Sequence, residues 1–247
     1  HPSRRMSKSD GGQKRTQGGT GSFTLAIEGS TYEGSVALLA DSRVIAEREI
    51  RREDGSVSPV GMGEQLMPAV AECLVEGGVR RGEIARIVCG AGPGSFTSLR
   101  VAGSVAKGLA AGYGVELFAI SSLLLTITGA KPPLAPGEYL SVLDAMRGEV
   151  FAARVLLQPG GLATQIEPTS ILSSEQLAEV AARDRAVRII GPGREIGARP
   201  HARGVTALLP SILAAGPVDL AAWEPDYGRL AEAQVRWEAA HGRPLVR

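Results

Sequence analysis

Glycines crowd one point of the chain, in the string Gly90-Ala91-Gly92-Pro93-Gly94-Ser95-Phe96-Thr97. A glycine-rich turn ahead of a helix is where many nucleotide enzymes hold phosphate. Backbone N–H groups and the helix dipole both favour an anion there. The chemistry to test is therefore ATP or dinucleotide binding. Counting from Gly90, a Walker loop needs glycine and then lysine at positions 95 and 96, where Ser95 and Phe96 stand. The dinucleotide fingerprint fits Gly90 and Gly92 but closes on Ser95 instead of glycine. What remains is a sharp turn, Gly92-Pro93-Gly94, that launches a helix capped by Thr97, with Ser95 as the other candidate cap.

Other reactive residues are sparse. The histidines are His1, His201 and His241. None is paired at helical ligand spacing, so no metal site is expected. A Ser–His–Asp hydrolase would have to recruit His201 or His241 from a loop and a terminal helix. Cys73 and Cys89 lie in apolar stretches and read as buried free thiols, which fits a reducing cytoplasm. The acids near strand ends are Glu28, Asp144 and Glu149, the last two flanking a Met146-Arg147-Gly148 hairpin turn.

These residues must be positioned by a framework that the sequence also outlines. Hydrophobic residues make up 44% of the 247 and charged residues 21%, a globular balance with no apolar run of membrane-spanning length. The net charge of +1 hides an asymmetry. Residues 1–22 carry Arg4, Arg5, Lys8, Lys14 and Arg15 against Asp10 alone, a disordered basic tail by composition. The remainder is slightly acidic, so it is not a basic nucleic-acid binder.

Strands are expected at 23–29, 34–40 and 43–50 as an antiparallel meander, then at 84–92 and 115–121. Met62, Leu66, Val70 and Leu74 recur every four residues, an amphipathic helix in which Pro68 predicts a kink or a late start. A second half follows, with strands at 138–145, 149–157 and 186–193. A helix at 173–182 carries the capping signal Ser173 and Gln176. Leu230, Ala233, Trp237 and Ala240 outline a terminal helix over 229–240. This order is α/β with mixed sheets in two related lobes, 23–120 and 121–247. In the helix after the turn, Leu99, Val101, Val105 and Leu109 form an apolar stripe. Gly103, Ala106 and Ala110 form a second stripe of small residues, wide enough for another helix to approach.

Four segments carry a family resemblance: "LAIEGSTYEGSVALL", "GPGSFTSLRVAGSVAKGLA", "SVLDAMRGEVFAA" and "PDYGRLAEAQVRWEAAHGRPL". Together they resemble the TsaB (YeaZ) family of tRNA threonylcarbamoyladenosine biosynthesis proteins, over residues 23–246. The resemblance implies an actin/sugar-kinase/Hsp70-like fold, in which the terminal helix packs back on the first lobe. It implies a non-catalytic, cytoplasmic subunit without a cofactor. Such a subunit pairs with the catalytic paralogue TsaD, is joined by the ATPase TsaE, self-pairs when alone, and meets tRNA only through the complex. The partner face it implies is Met62, Leu66, Val70 and Leu74 of one helix with Leu99, Arg100, Val101, Gly103, Val105 and Ala106 of the other.

The chain departs from the family pattern in places. Glu28-Gly29 replaces Asp-Thr, Ser98 replaces glycine, and Gly228 stands where leucine is usual after Tyr227. Met62 falls where relatives often show histidine. In actin-like ATPases an acid after the first strand helps hold metal and phosphate, but here Tyr32 and Glu33 follow Glu28 instead of a cation. The competing reading is a glycoprotease-like peptidase or an actin-like ATP-dependent kinase.

Overall fold

The computed structural model describes residues 22–50, 59–229 and 240–242. The expected basic tail, apart from Ser22, and the expected terminal helix, apart from its ends, lie outside the described residues.

Alternation and tight turns at the front of the chain produce β1 (Phe23–Glu28), β2 (Gly34–Ala40) and β3 (Arg43–Ile50), an antiparallel meander. Asp41 takes a left-handed conformation, φ 52°, in the turn between β2 and β3. After α1 (Pro59–Gly77) come β4 (Ile84–Gly90), α2 (Phe96–Tyr113) and β5 (Glu116–Ile120). β4 pairs in parallel with β1 and β5, giving the order β3-β2-β1-β4-β5. The unbroken apolar run of β4 fits a strand paired on both sides. α1 does not start late. It runs through Pro68, which is exposed, as is Glu64 one turn earlier. The carbonyl that a proline cannot serve is thus left on the solvent side.

The second half supplies α3 (Ser122–Thr128), β6 (Gly137–Asp144), β7 (Glu149–Leu157), β8 (Ala163–Gln165), β9 (Ser170–Ser173), α4 (Ser174–Arg183), β10 (Arg188–Gly191), β11 (Ile196–Gly197) and α5 (Val205–Ala215). α4 opens with the expected capping box: Ser173 Oγ accepts the Gln176 N–H, and Gln176 accepts the Ser173 N–H. The second sheet has the order β11-β10-β6-β7-β8, with β9 also on β7. β6 has an antiparallel hairpin partner on one edge and a parallel strand on the other, as β1 does. The two mixed sheets thus repeat one plan, a bilobal α/β fold.

The period of two along each strand divides the core into layers. Leu25, Ile27, Val36 and Leu38 face α1 and α2, where Met62, Leu66, Val70 and Leu109 meet them. Ala26, Ala37, Leu39 and Val88 face the other way, onto α3 and α5. Those two helices share that cluster with Tyr139, Ala153 and Val155 of the second sheet. The far face of the second sheet buries Leu140, Val142, Val150 and Ala152 with Leu177 of α4.

Candidate functional site: the glycine turn and the paired helices

The glycine turn launches α2 with a cap different from the one expected first. Ser95 is the N-cap, its Oγ accepting the Ser98 N–H at 3.4 Å, while Thr97 is exposed in the first turn. Glycine is required at three positions by what lies against them. A Cβ on Gly90 would fall 1.8 Å from Glu28 Oε2. One on Gly92 would fall 2.3 Å from the Asp226 carbonyl, and one on Gly94 2.1 Å from the Ser30 carbonyl. Three of its N–H groups are spent on the chain's own oxygens. Ala91 donates to the Ile120 carbonyl at 2.7 Å, Gly92 to Ser122 Oγ at 3.1 Å, and Ser95 to the Ser30 carbonyl at 2.7 Å. Pro93 has no N–H to offer.

Glu28 is the centre of this knot. It is 1% exposed, and its carboxylate accepts from the Ser30 N–H at 2.6 Å and from Ser122 Oγ at 2.9 Å. Burial pushes its carboxyl above the usual carboxylate range. A buried carboxylate therefore stands beside the turn that the sequence offered as a phosphate loop.

Three of the departures from the family pattern have a steric reading. A Cβ on Gly29 would lie 2.6 Å from Ala102 Cβ and 3.4 Å from Met62 Cε; one on Gly34 would lie 2.5 Å from Met62 Sδ. Met62 thus occupies space that Gly29 and Gly34 leave open. Gly228 has φ 66°, and a Cβ there would fall 2.4 Å from the Phe151 ring, so leucine does not fit.

The expected partner residues divide. Met62, Leu66, Val70, Leu99 and Ala106 are at most 1% exposed, and Gly103 is also buried. These six belong to the chain's own core: in α1 the four-residue repeat marks the face turned to the sheet, and Gly103 of α2 lies under Pro225. Leu74, Val101 and Val105 are half-buried, and Arg100 is exposed. The small-residue stripe is likewise used internally. A Cβ on Gly103 would lie 2.9 Å from Pro225 Cγ, and Lys107 Nζ donates to the carbonyls of Ala221 and Trp223 at 3.4 and 2.9 Å. This strap is tied down where the Val218 N–H donates to the Leu117 carbonyl and the Asp226 N–H to the Ala91 carbonyl.

Sequence reasoning missed a second small-residue face on α2. Ser104, Gly108, Ala111 and Gly112 are all exposed, and a Cβ on Gly108 or Gly112 would meet nothing within 4 Å among the described residues. The signal was present as two glycines in a helix, each costing about 0.5–1 kcal/mol relative to alanine. On α1 the exposed apolar side chains are Met67 (46%) and Val75 (82%), two turns apart, with Ala71 exposed between them. At the start of α2, Phe96 packs against Tyr227 with centroids 4.5 Å apart and ring planes tilted by 44°, and the Arg100 guanidinium lies 5.4 Å over the Phe96 ring.

Of the remaining candidates, Asp144 Oδ1 accepts the Met146 N–H at 2.8 Å in the hairpin turn, and Glu149 pairs with Arg229. Both cysteines are buried free thiols; burial pushes Cys73 up to about 11 and Cys89 higher still. Among the described residues, no group of three or more His, Cys, Asp or Glu is placed to hold a metal ion. No helix among them is long and apolar enough to cross a membrane.

This bilobal α/β fold, with a glycine turn whose Ala91, Gly92 and Ser95 N–H groups are taken up by the chain's own oxygens, has relatives among known proteins. Residues 45–181 match the family model described as "TsaD: tRNA N6-adenosine threonylcarbamoyltransferase", and the chain belongs to that family. It closely resembles the TsaB/YeaZ members. It is 27% identical over 234 residues to the tRNA threonylcarbamoyladenosine biosynthesis protein TsaB of Bacillus subtilis, covering 86% of this chain and 96% of that one. The Escherichia coli TsaB is 30% identical over 155 residues, 63% of this chain and 64% of its own length. The solved structure of YeaZ from Pseudomonas aeruginosa superposes with a TM-score of 0.69 at 27% identity, covering 83% of this chain and all but 1% of its own, since 99% is matched.

Proposed function

We propose that this chain is a non-catalytic scaffold subunit of the machinery that makes threonylcarbamoyladenosine in tRNA, pairing with a TsaD-type paralogue. The observation that carries the reading is the outward face of α2. Gly108 and Gly112 weaken the helix, and among the described residues nothing lies within 4 Å of where a Cβ on either would stand. Small residues on an exposed helix face let a second helix approach closely. Met67, Ala71 and Val75 are exposed on α1, which packs against α2, and the half-buried Leu74, Val101 and Val105 add apolar area.

The same face serves self-pairing when the paralogue is absent. A TsaE-type ATPase joins the pair, tRNA is met only through the assembly, and the setting is cytoplasmic. The lobes 23–120 and 121–247 are those of an actin/sugar-kinase/Hsp70-like duplication, which the shared plan of the two sheets supports. The competing peptidase or kinase reading finds Ala91, Gly92 and Ser95 already donating to protein oxygens.

The test is co-expression with a TsaD paralogue followed by size-exclusion chromatography. A stable complex with no turnover by this chain alone is expected. No complex, with or without the ATPase and ATP, overturns the reading, as does ATP or peptide turnover by the purified chain.

A further inference from the structure

A polar cleft of about 370 Å³ lies at the outer edge of the first sheet, with no residue of α1 or α2 in its lining. It is lined by Glu49 of β3, Lys131 after α3, Gly193 and Gly197 around β11, and Arg199, His201 and Arg203 beyond. Its volume is within the usual range of small-molecule sites.

One buried donor in it is unsatisfied. His201 is 7% exposed, and its Nδ1 accepts the Arg203 N–H at 3.0 Å. In the neutral ring the proton is therefore on Nε2. That nitrogen is buried and has no hydrogen-bond partner; the Glu49 carboxylate oxygen is 3.8 Å away, beyond reach. A buried unpaired donor is costly in a folded protein, and such groups call for an acceptor.

The neighbouring cations have donors to spare. Arg203 is committed, with Nε on Glu47 at 2.9 Å and Nη2 on Glu49 at 3.3 Å. Lys131 gives one of its three N–H groups to Glu47 at 2.5 Å, and Arg199 pairs with Glu33 through one nitrogen. Both heads are well exposed at the rim, at 60% and 47%. Among the described residues, a Cβ on Gly193 would meet nothing within 4 Å, so the backbone there is open.

We infer that this cleft binds a small oxyanion, a phosphate or carboxylate group, held by His201 Nε2–H with Lys131 and Arg199. An oxyanion supplies several lone pairs to converging donors, two of them charged. The site is independent of the partner face on α2, so it stands or falls separately from the pairing.

The test is titration of the full chain with sodium phosphate and, separately, with sodium acetate at constant ionic strength, followed by the His201 ring resonances. Saturable shifts in the millimolar range or below are expected with at least one of them; the one that saturates at lower concentration identifies the ligand group. Lys131→Ala and Arg199→Ala, both at exposed positions, should each weaken binding at least fivefold with the melting temperature held. His201→Gln should abolish it. Linear, non-saturating shifts with both anions, or equal affinity in Lys131→Ala, Arg199→Ala and the unaltered chain, overturn the inference.

Discussion

Gly108→Leu separates what α2 needs from what it touches. Among the described residues of the isolated chain, no atom lies within 4 Å of where the new Cβ would stand. The change removes the helix cost of glycine, about 0.5–1 kcal/mol, and leucine is a good helix former. For a chain of this size, 1 kcal/mol is worth about 2–4 °C in melting temperature. The isolated variant should therefore melt about 1–4 °C higher. In a complex built on this face, the leucine must enter a close helix contact. Overpacking a fitted contact costs about 1–3 kcal/mol, which is roughly a 5- to 150-fold rise in Kd. The assays are differential scanning fluorimetry on the chain alone and calorimetry against a purified TsaD paralogue. Glu179→Leu, on the exposed side of α4, is the control and should leave affinity unaltered. A higher melting temperature with unchanged affinity would refute the reasoning, since the face would then be open in the complex as well.

Other expectations follow from the same contacts. Gly103→Ala should lower the melting temperature where Gly108→Ala raises it, because its Cβ meets Pro225 Cγ at 2.9 Å. Gly94→Ala should cost at least about 2 kcal/mol in urea denaturation, as its Cβ would lie 2.1 Å from the Ser30 carbonyl. Burial holds His201 down at about 4, below its unfolded value near 6.5. The unfolded chain therefore binds the proton first. The stability tied to a neutral His201 is present above about pH 6.5 and lost as pH falls toward 4, up to about 3 kcal/mol. His201→Gln should flatten that part of the pH–stability curve, and equal slopes would count against the burial argument. Cys73 and Cys89, both buried, should resist a thiol reagent at pH 8 and react after unfolding in guanidinium.

How much the sequence reveals depends on what surrounds each element. α4 was legible because its Ser173/Gln176 box is local and its other face meets water. α3 and α5 were not. SLLLTIT is buried between the sheets on nearly every side, and the exposed side of VTALLPSILAA is itself mostly apolar, with Pro210, Leu213, Ala214 and Ala215 in water, so neither shows a clean polar face. In α2, the sequence set Leu99, Val101, Val105 and Leu109 apart from Gly103, Ala106 and Ala110, whereas the buried face takes Leu99 and Leu109 from the first stripe and all three of the second, and a period alone does not say whether own sheet or foreign helix covers it. The strap over Gly103 comes from more than a hundred positions later, and no local pattern announces it. His201 and Lys131 are likewise joined only by the return of the chain past β11.

The glycine turn also bears on how such strings are read. Its three glycines admit a carboxylate oxygen and two carbonyls of the same chain. A run of glycines reports how near something comes to the backbone and is silent about what that something is. Here the neighbours are the first strand's turn, the start of α3 and the C-terminal strap, so the string is a joint where four distant parts of the chain are clamped together. Pattern searches that score the letters alone will keep returning it as a nucleotide cradle; following each N–H to its acceptor tells the two apart.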